Sequence, residues 1–236
     1  TVASDGGTAT TERLELTGSG KVTVQSGVAV TGSTHVAGGE LEVTSADVGL
    51  GTVSGEGTLT INWEGSNTYT LAGLKLLDIK SGVFGAASDA LQNVRTIAVH
   101  AGGTYTQGSG ATYAGHIIAD GGTIALSGGG LTGQMTVQAD SYLNVAQGKT
   151  TTLDINLVQE NGAALIQTGS GKVSIKERGK TVLDRYIVRE GTLSFAGYGT
   201  HSGQGSISVE SGAMLQVGWG ASLIAEQIKL AGGATL

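Results

Sequence analysis

A chain of 236 residues with 42 glycines and neither proline nor cysteine is made for turns, and it excludes disulfides and thiolate metal sites. Thirteen basic against nineteen acidic residues leave a formal charge of −6, thinly spread, which argues against nucleic acid as a partner because phosphate binding needs a basic stripe. No apolar run reaches the ~18 residues of a membrane-spanning helix, and no strict third-residue glycine marks a collagen.

Taken in chain order, the same unit keeps returning: a glycine-bearing turn, then an apolar-polar-apolar triplet. It reads "GSGKVTV" from Gly18, "AGGELEV" from Ala37, "GEGTLTI" from Gly55 and "AGGTYTQ" from Ala101. It continues as "DGGTIAL" from Asp120, "EGTLSF" from Glu190, "SGAMLQV" from Ser211 and "AGGATL" from Ala231. Counted on Gly20, Gly39, Gly57, Gly82, Gly103, Gly122, Asp140, Gly162, Gly191, Gly212 and Gly233, most spacings are 18 to 22 residues. Two are longer: 25 from Gly57 to Gly82 and 29 from Gly162 to Gly191, where insertions are expected.

A beat near 20 residues, broken by a turn every few residues, predicts a solenoid of three short strands per coil. The fold expected is all-β, a right-handed parallel β-helix of about eleven coils with one or two hairpin-like excursions. Val22 and Val24, Leu41 and Val43, Leu59 and Ile61, Ile207 and Val209, and Leu215 and Val217 are its inward columns. The row from Val22 through Leu41 and Leu59 is expected to reach Tyr105. Thr, Ser, Gln, Glu and Lys occupy the outward positions. Ser88 to Arg95 reads either as one helical turn or as a loop. Nothing marks a domain boundary, so residues 1–236 read as one β-helix segment, and the close on "AGGATL" suggests a piece of a longer protein.

Three phrases carry a resemblance. "GEGTLTINWEGSNTYT", "SDALQNVRTIAVHAGGTY" and "NGAALIQTGSGKVSI" followed by "REGTLSFAG" resemble the autotransporter-associated β-strand repeat of bacterial passenger domains. Gly55, Gly57, Leu59, Ile61 and Asn67 to Thr70 match the first copy. Gly169, Gly171, Val173, Ile175 and Gly191 to Leu193 match the second, where "KTVLD" replaces the polar tetrapeptide. The resemblance implies a bacterial cell-surface or extracellular chain, linked in its precursor to an outer-membrane barrel. Adhesion or aggregation is the activity expected of such a stalk, with host glycans, surface proteins or its own copies as partners.

Catalysis finds little to stand on. A glycan-active β-helix needs neighbouring carboxylates for acid/base work or calcium. Glu40 with Glu42, and Asp120 with Asp140, are the pairs that spacing offers, and both read as solvated surface acids without a clamp of Arg, Lys or His. No phosphate loop, calcium nonapeptide or nucleophile elbow occurs, so neither enzyme, cofactor nor metal site is expected. His35, His100, His116 and His201 read as surface or stacking residues.

Two stretches remain as binding candidates. Between Lys176 and Arg189, "KERGKTVLDRYIVR" holds Lys176, Arg178, Lys180, Arg185 and Arg189, five of the thirteen basic residues. It reads either as an excursion kept soluble by charge or as an anion-binding knob with Tyr186 as its stacking surface. Trp63 and Tyr69 are an aromatic pair that could stack on sugar rings or cover the helix side.

Overall fold

The computed structural model describes residues 8–86, 94–176 and 181–236. Every regular element among them is a β-strand, and the strands pair in parallel, the ladder of a parallel β-helix with about ten coils. Two compact units divide the chain, Thr1–Thr106 and Gln107–Leu236. The turn weighed at Ser88 to Arg95 falls mostly on residues outside those described.

In the first unit, Lys21–Val24, Glu40–Val43, Thr52–Asn67, Thr70–Ala86 and Thr96–His100 stack in sequence order. Val22 opposes Leu41, Leu41 opposes Leu59, Leu59 opposes Leu77, and Leu77 opposes Ile97. Leu41, Leu59, Leu77 and Ile97 are wholly buried, one apolar column inside the coil. The alternation that puts them there sends Glu40, Glu42 and Asp78 to the other side of the sheet.

Two expectations fail here. The coil after Leu59 is 18 residues long, since its partner is Leu77; Gly82 is not the next beat, and the 25-residue insertion disappears. Nor does the row run to Tyr105, which lies on Gly103–Gln107 beside a later part of the long strand Thr70–Ala86. The excursion around Trp63 is no hairpin either. Asn62 opposes Ser81 and Ser66 opposes Val83, so Trp63, Glu64 and Gly65 bulge against Gly82 alone. Gly82 has φ +74°, and a Cβ there would collide with the Trp63 carbonyl, so only glycine closes the bulge.

The second unit carries a six-stranded ladder: Thr112–Tyr113, Gly129–Leu131, Thr150–Leu153, Lys172–Ile175, Thr192–Phe195 and Met214–Val217. Tyr113, Leu131, Leu153, Ile175 and Phe195 form its buried column. Val217 follows Phe195 in that column and is 40% exposed, short of the burial expected for it. A second ladder runs through Ser141–Val145, Leu165–Gln167, Arg185–Val188, Gly199–Val209 and Ala221–Leu230.

That second ladder corrects the reading of the basic stretch. Arg185–Val188 is an ordinary strand, with Tyr186 between Leu165 and Ile207, not the far arm of a hairpin. Val173 opposes Leu193 at a distance of 20 residues, a normal coil. Thr181 Oγ1 accepts the amide of Ile155, 26 residues before it, a longer step than the 20 from Val173 to Leu193.

Candidate functional site

Of the five basic residues of the expected knob, Lys176, Arg185 and Arg189 are among the described residues. Lys176 is exposed at the end of Lys172–Ile175; Arg178 and Lys180 lie outside the described residues. Arg185 Nη1 donates to the Gly162 carbonyl at 3.1 Å and lies 3.4 Å from Asp140 Oδ1. Arg189 Nε sits 3.5 Å from Glu210 Oε1. Both arginines are therefore tied to acids or carbonyls of neighbouring coils, which removes them from a free anion-binding set. Tyr186 is wholly buried, its hydroxyl donating to Gln167 Oε1 at 3.2 Å. Burial pushes its phenol well above the usual range. It offers no stacking surface, because alternation along Arg185–Val188 turns Tyr186 and Val188 inward together.

The aromatic pair from the first unit is likewise structural. Trp63 is half-buried, and its ring lies over Gly65 so closely that a Cβ there would overlap the indole. Tyr69 is buried, packs 6.3 Å from Phe84, and donates its hydroxyl to the Val48 carbonyl at 2.9 Å. Desolvation pushes its phenol up to about 12. Of the two roles open to this pair, covering the coil is the one the geometry fills.

Glu40 and Glu42 are not simply solvated acids. Lys21 Nζ reaches Glu40 Oε1 at 3.1 Å and Glu42 Oε2 at 2.9 Å. Thr60 donates to Glu40 at 2.8 Å, while Asn62 and Thr23 donate to Glu42 at 3.0 and 3.2 Å. Asp78 takes Lys80 at 3.7 Å and His100 at 2.8 Å. Burial alone would raise the carboxyl of Glu42, yet the bonds from Lys21, Asn62 and Thr23 outweigh it and hold the group below 4.5. Glu40 is lowered in the same way, burial opposing and Thr60 with Lys21 prevailing. These acids join three successive coils across the outer face of the sheet. Asp140 does similar work, accepting the Ala164 amide at 2.7 Å.

Histidines follow the pattern of stacking residues. His35 Nδ1 meets Ser54 Oγ at 3.2 Å and His116 Nε2 meets Thr136 Oγ1 at 2.9 Å, each one coil away. Among the described residues no three His, Asp or Glu gather in the manner of a metal centre.

Two features escaped the sequence reading. The first is a set of glutamine clamps. Gln167 Nε2 donates to the Gly171 carbonyl in its own turn and to the Thr192 carbonyl of the next coil, both at 3.3 Å. Gln159 does the same to Ala163 and Arg185, and its Oε1 accepts the amides of Asp184 and Arg185. Gln107 donates to Ala111 and Gly130. Their legible signature is a glutamine leading a glycine turn: "QGSGA", "QENGA" and "QTGSG". The second feature is an exposed aromatic pair, Tyr198 and Trp219, whose signal is an aromatic between two glycines, "GYG" and "GWG".

No protein-family model matches this chain, and neither the curated proteins nor the solved structures compared with it give a match.

Proposed function

We propose that this chain is a β-helical segment of an exported bacterial passenger protein, displayed at the cell surface or released, and that it acts by adhesion or aggregation. The single observation that carries this reading is the register of its outward polar rows. In the second unit His116, Gln134 and Asn156 stand opposite one another on successive strands, as do Thr150, Lys172 and Thr192, rows of exposed or half-buried polar groups about 4.8 Å apart. Each group offers one weak hydrogen bond, and a repeated row converts weak bonds into avidity. The carboxylates and amides around it are engaged in joining coils, which supports a stiff scaffold. The repeat resemblance supplies the export route, with a barrel in the precursor. A competing reading, a glycan-cleaving protein whose site lies outside this segment, is separated by the same experiment.

Beads coated with the purified chain are expected to be retained on mucin or epithelial surfaces, or to cluster with one another, without releasing products from pectin, glycosaminoglycan or mucin glycan. Uncoated-level retention and clustering would overturn adhesion. New reducing ends above a heat-inactivated control would favour the enzyme.

A further inference from the structure

Tyr198 and Trp219 stand on the turns that follow Thr192–Phe195 and Met214–Val217, so two successive coils of the second unit present them at one corner. Their rings meet edge to face, centroids 5.4 Å apart and planes at 78°. They are 66% and 86% exposed, whereas every other aromatic side chain among the described residues is buried or half-buried. Two large rings held mostly in water at neighbouring turns make an exposed aromatic patch, and such exposure marks a contact surface.

The platform is also held in shape. A Cβ at Gly220 would come within 2.6 Å of Tyr198 Cδ1, so the missing side chain lets the phenol lie against the next turn. Each ring is flanked by glycine on both sides, Gly197 and Gly199, Gly218 and Gly220. One coil earlier the same corner begins at Lys176, which is exposed and whose carbonyl would lie 3.0 Å from a Cβ at Gly197.

We propose that this corner binds an anionic glycan, with pyranose rings laid on Trp219 and Tyr198 and a carboxylate or sulfate at the Lys176 ammonium. This rests on the adhesion reading and names its ligand class. A pyranose has an apolar C–H face and a hydroxyl rim, which suits an aromatic face bordered by exposed turn amides. Lys176 supplies the charge preference in an otherwise acidic chain. From the Lys176 coil to the Trp219 coil is two steps, about 10 Å along the stacking direction, room for consecutive sugar units. A platform two rings wide is small for a folded partner, which needs about 800 Å² on each side.

The test is a titration of the purified chain with polyuronate and heparin oligosaccharides, with neutral dextran fragments as control. Trp219 reports directly, since Trp63 is half-buried and belongs to the other unit. The expected result is a saturable emission shift with the anionic sugars that Trp219→Phe removes while retaining most of the affinity measured by calorimetry. Tyr198→Ala and Trp219→Ala should each weaken binding by about tenfold. Lys176→Ser should weaken it several-fold and flatten its salt dependence. Melting curves check that each variant stays folded. Binding unchanged in the Tyr198→Ala, Trp219→Ala double variant overturns the site, as does a wild-type chain that binds none of these sugars. So does a double variant whose one defect is lost self-association, which would assign the rings to a second copy. Beads carrying the double variant that adhere like wild type sink this site but leave adhesion standing; wild-type beads that hold no surface sink both.

Discussion

The hydroxyl of Tyr186 donates to Gln167 Oε1 across 3.2 Å in the interior of the second unit, joining one coil to the coil before it. Removing it should be felt as stability, not as lost binding. Tyr186→Phe leaves a buried amide oxygen without that donor and should cost about 1–3 kcal/mol. Tyr186→Ala adds a cavity and should cost about 3–5 kcal/mol. Urea unfolding measures both. A Tyr186→Phe chain with wild-type stability would show that Gln167 is satisfied elsewhere.

Leu59 is wholly buried between Leu41 and Leu77. Leu59→Asp places an unpaired carboxylate in that column and should cost at least about 3 kcal/mol, enough to unfold the first unit at physiological temperature. Wild-type melting in the variant would mean the column is not closed.

Gly82 and Gly212 share a positive φ, +74° and +81°, but not their surroundings. Alanine at Gly212 meets open space and should cost only the left-handed backbone penalty, about 1–2 kcal/mol. Alanine at Gly82 meets the Trp63 carbonyl as well, so its melting temperature should fall distinctly further. Emission from Trp63 should shift too, as the bulge rearranges. Equal losses at the two sites would overturn the bulge geometry.

Acid should loosen the first unit through Glu40 and Glu42. Their folded pKa values lie below 4.5, so the stability they contribute is complete above that value and disappears as pH falls through the depressed range. Lys21→Met removes the ammonium shared by both carboxylates. The variant should melt lower than wild type near neutrality and lose less on acidification, the two curves converging at low pH. Parallel curves would mean the Lys21 contacts are not formed in solution.

How much of this was legible depends on what each residue type signals. The glycine-led triplets announced parallel coils, and inward positions such as Leu41, Val43, Leu59 and Ile207 alternate as read, because burial on one face of a strand leaves a period of two. Glycine alone could not count coils. Gly57 sits at a coil beat and Gly82 at a bulge, and both look the same in sequence. Charge misled at the basic stretch: Lys and Arg drew attention outward, although Leu183, Tyr186 and Val188 already spelled buried positions. Tyr186 and Trp63 look like binding aromatics by type alone, whereas Tyr198 and Trp219, each between two glycines, have the context of a turn tip. Gln159 and Gln167 each lead a glycine turn, yet an amide there reads as surface until its carbonyl partners are in place.

The glutamine clamps have a mechanical consequence. Gln159 grips its own turn and the next coil at once, through four hydrogen bonds. Load applied along the stacking direction would therefore meet ladder bonds that lie parallel to the pull and, at each clamp, a point where they must break together. Within the second unit a coil torn free pays out about 20 residues, roughly 70 Å of slack. Tension would be shed in discrete slips, each arrested at the next clamp, rather than in one release.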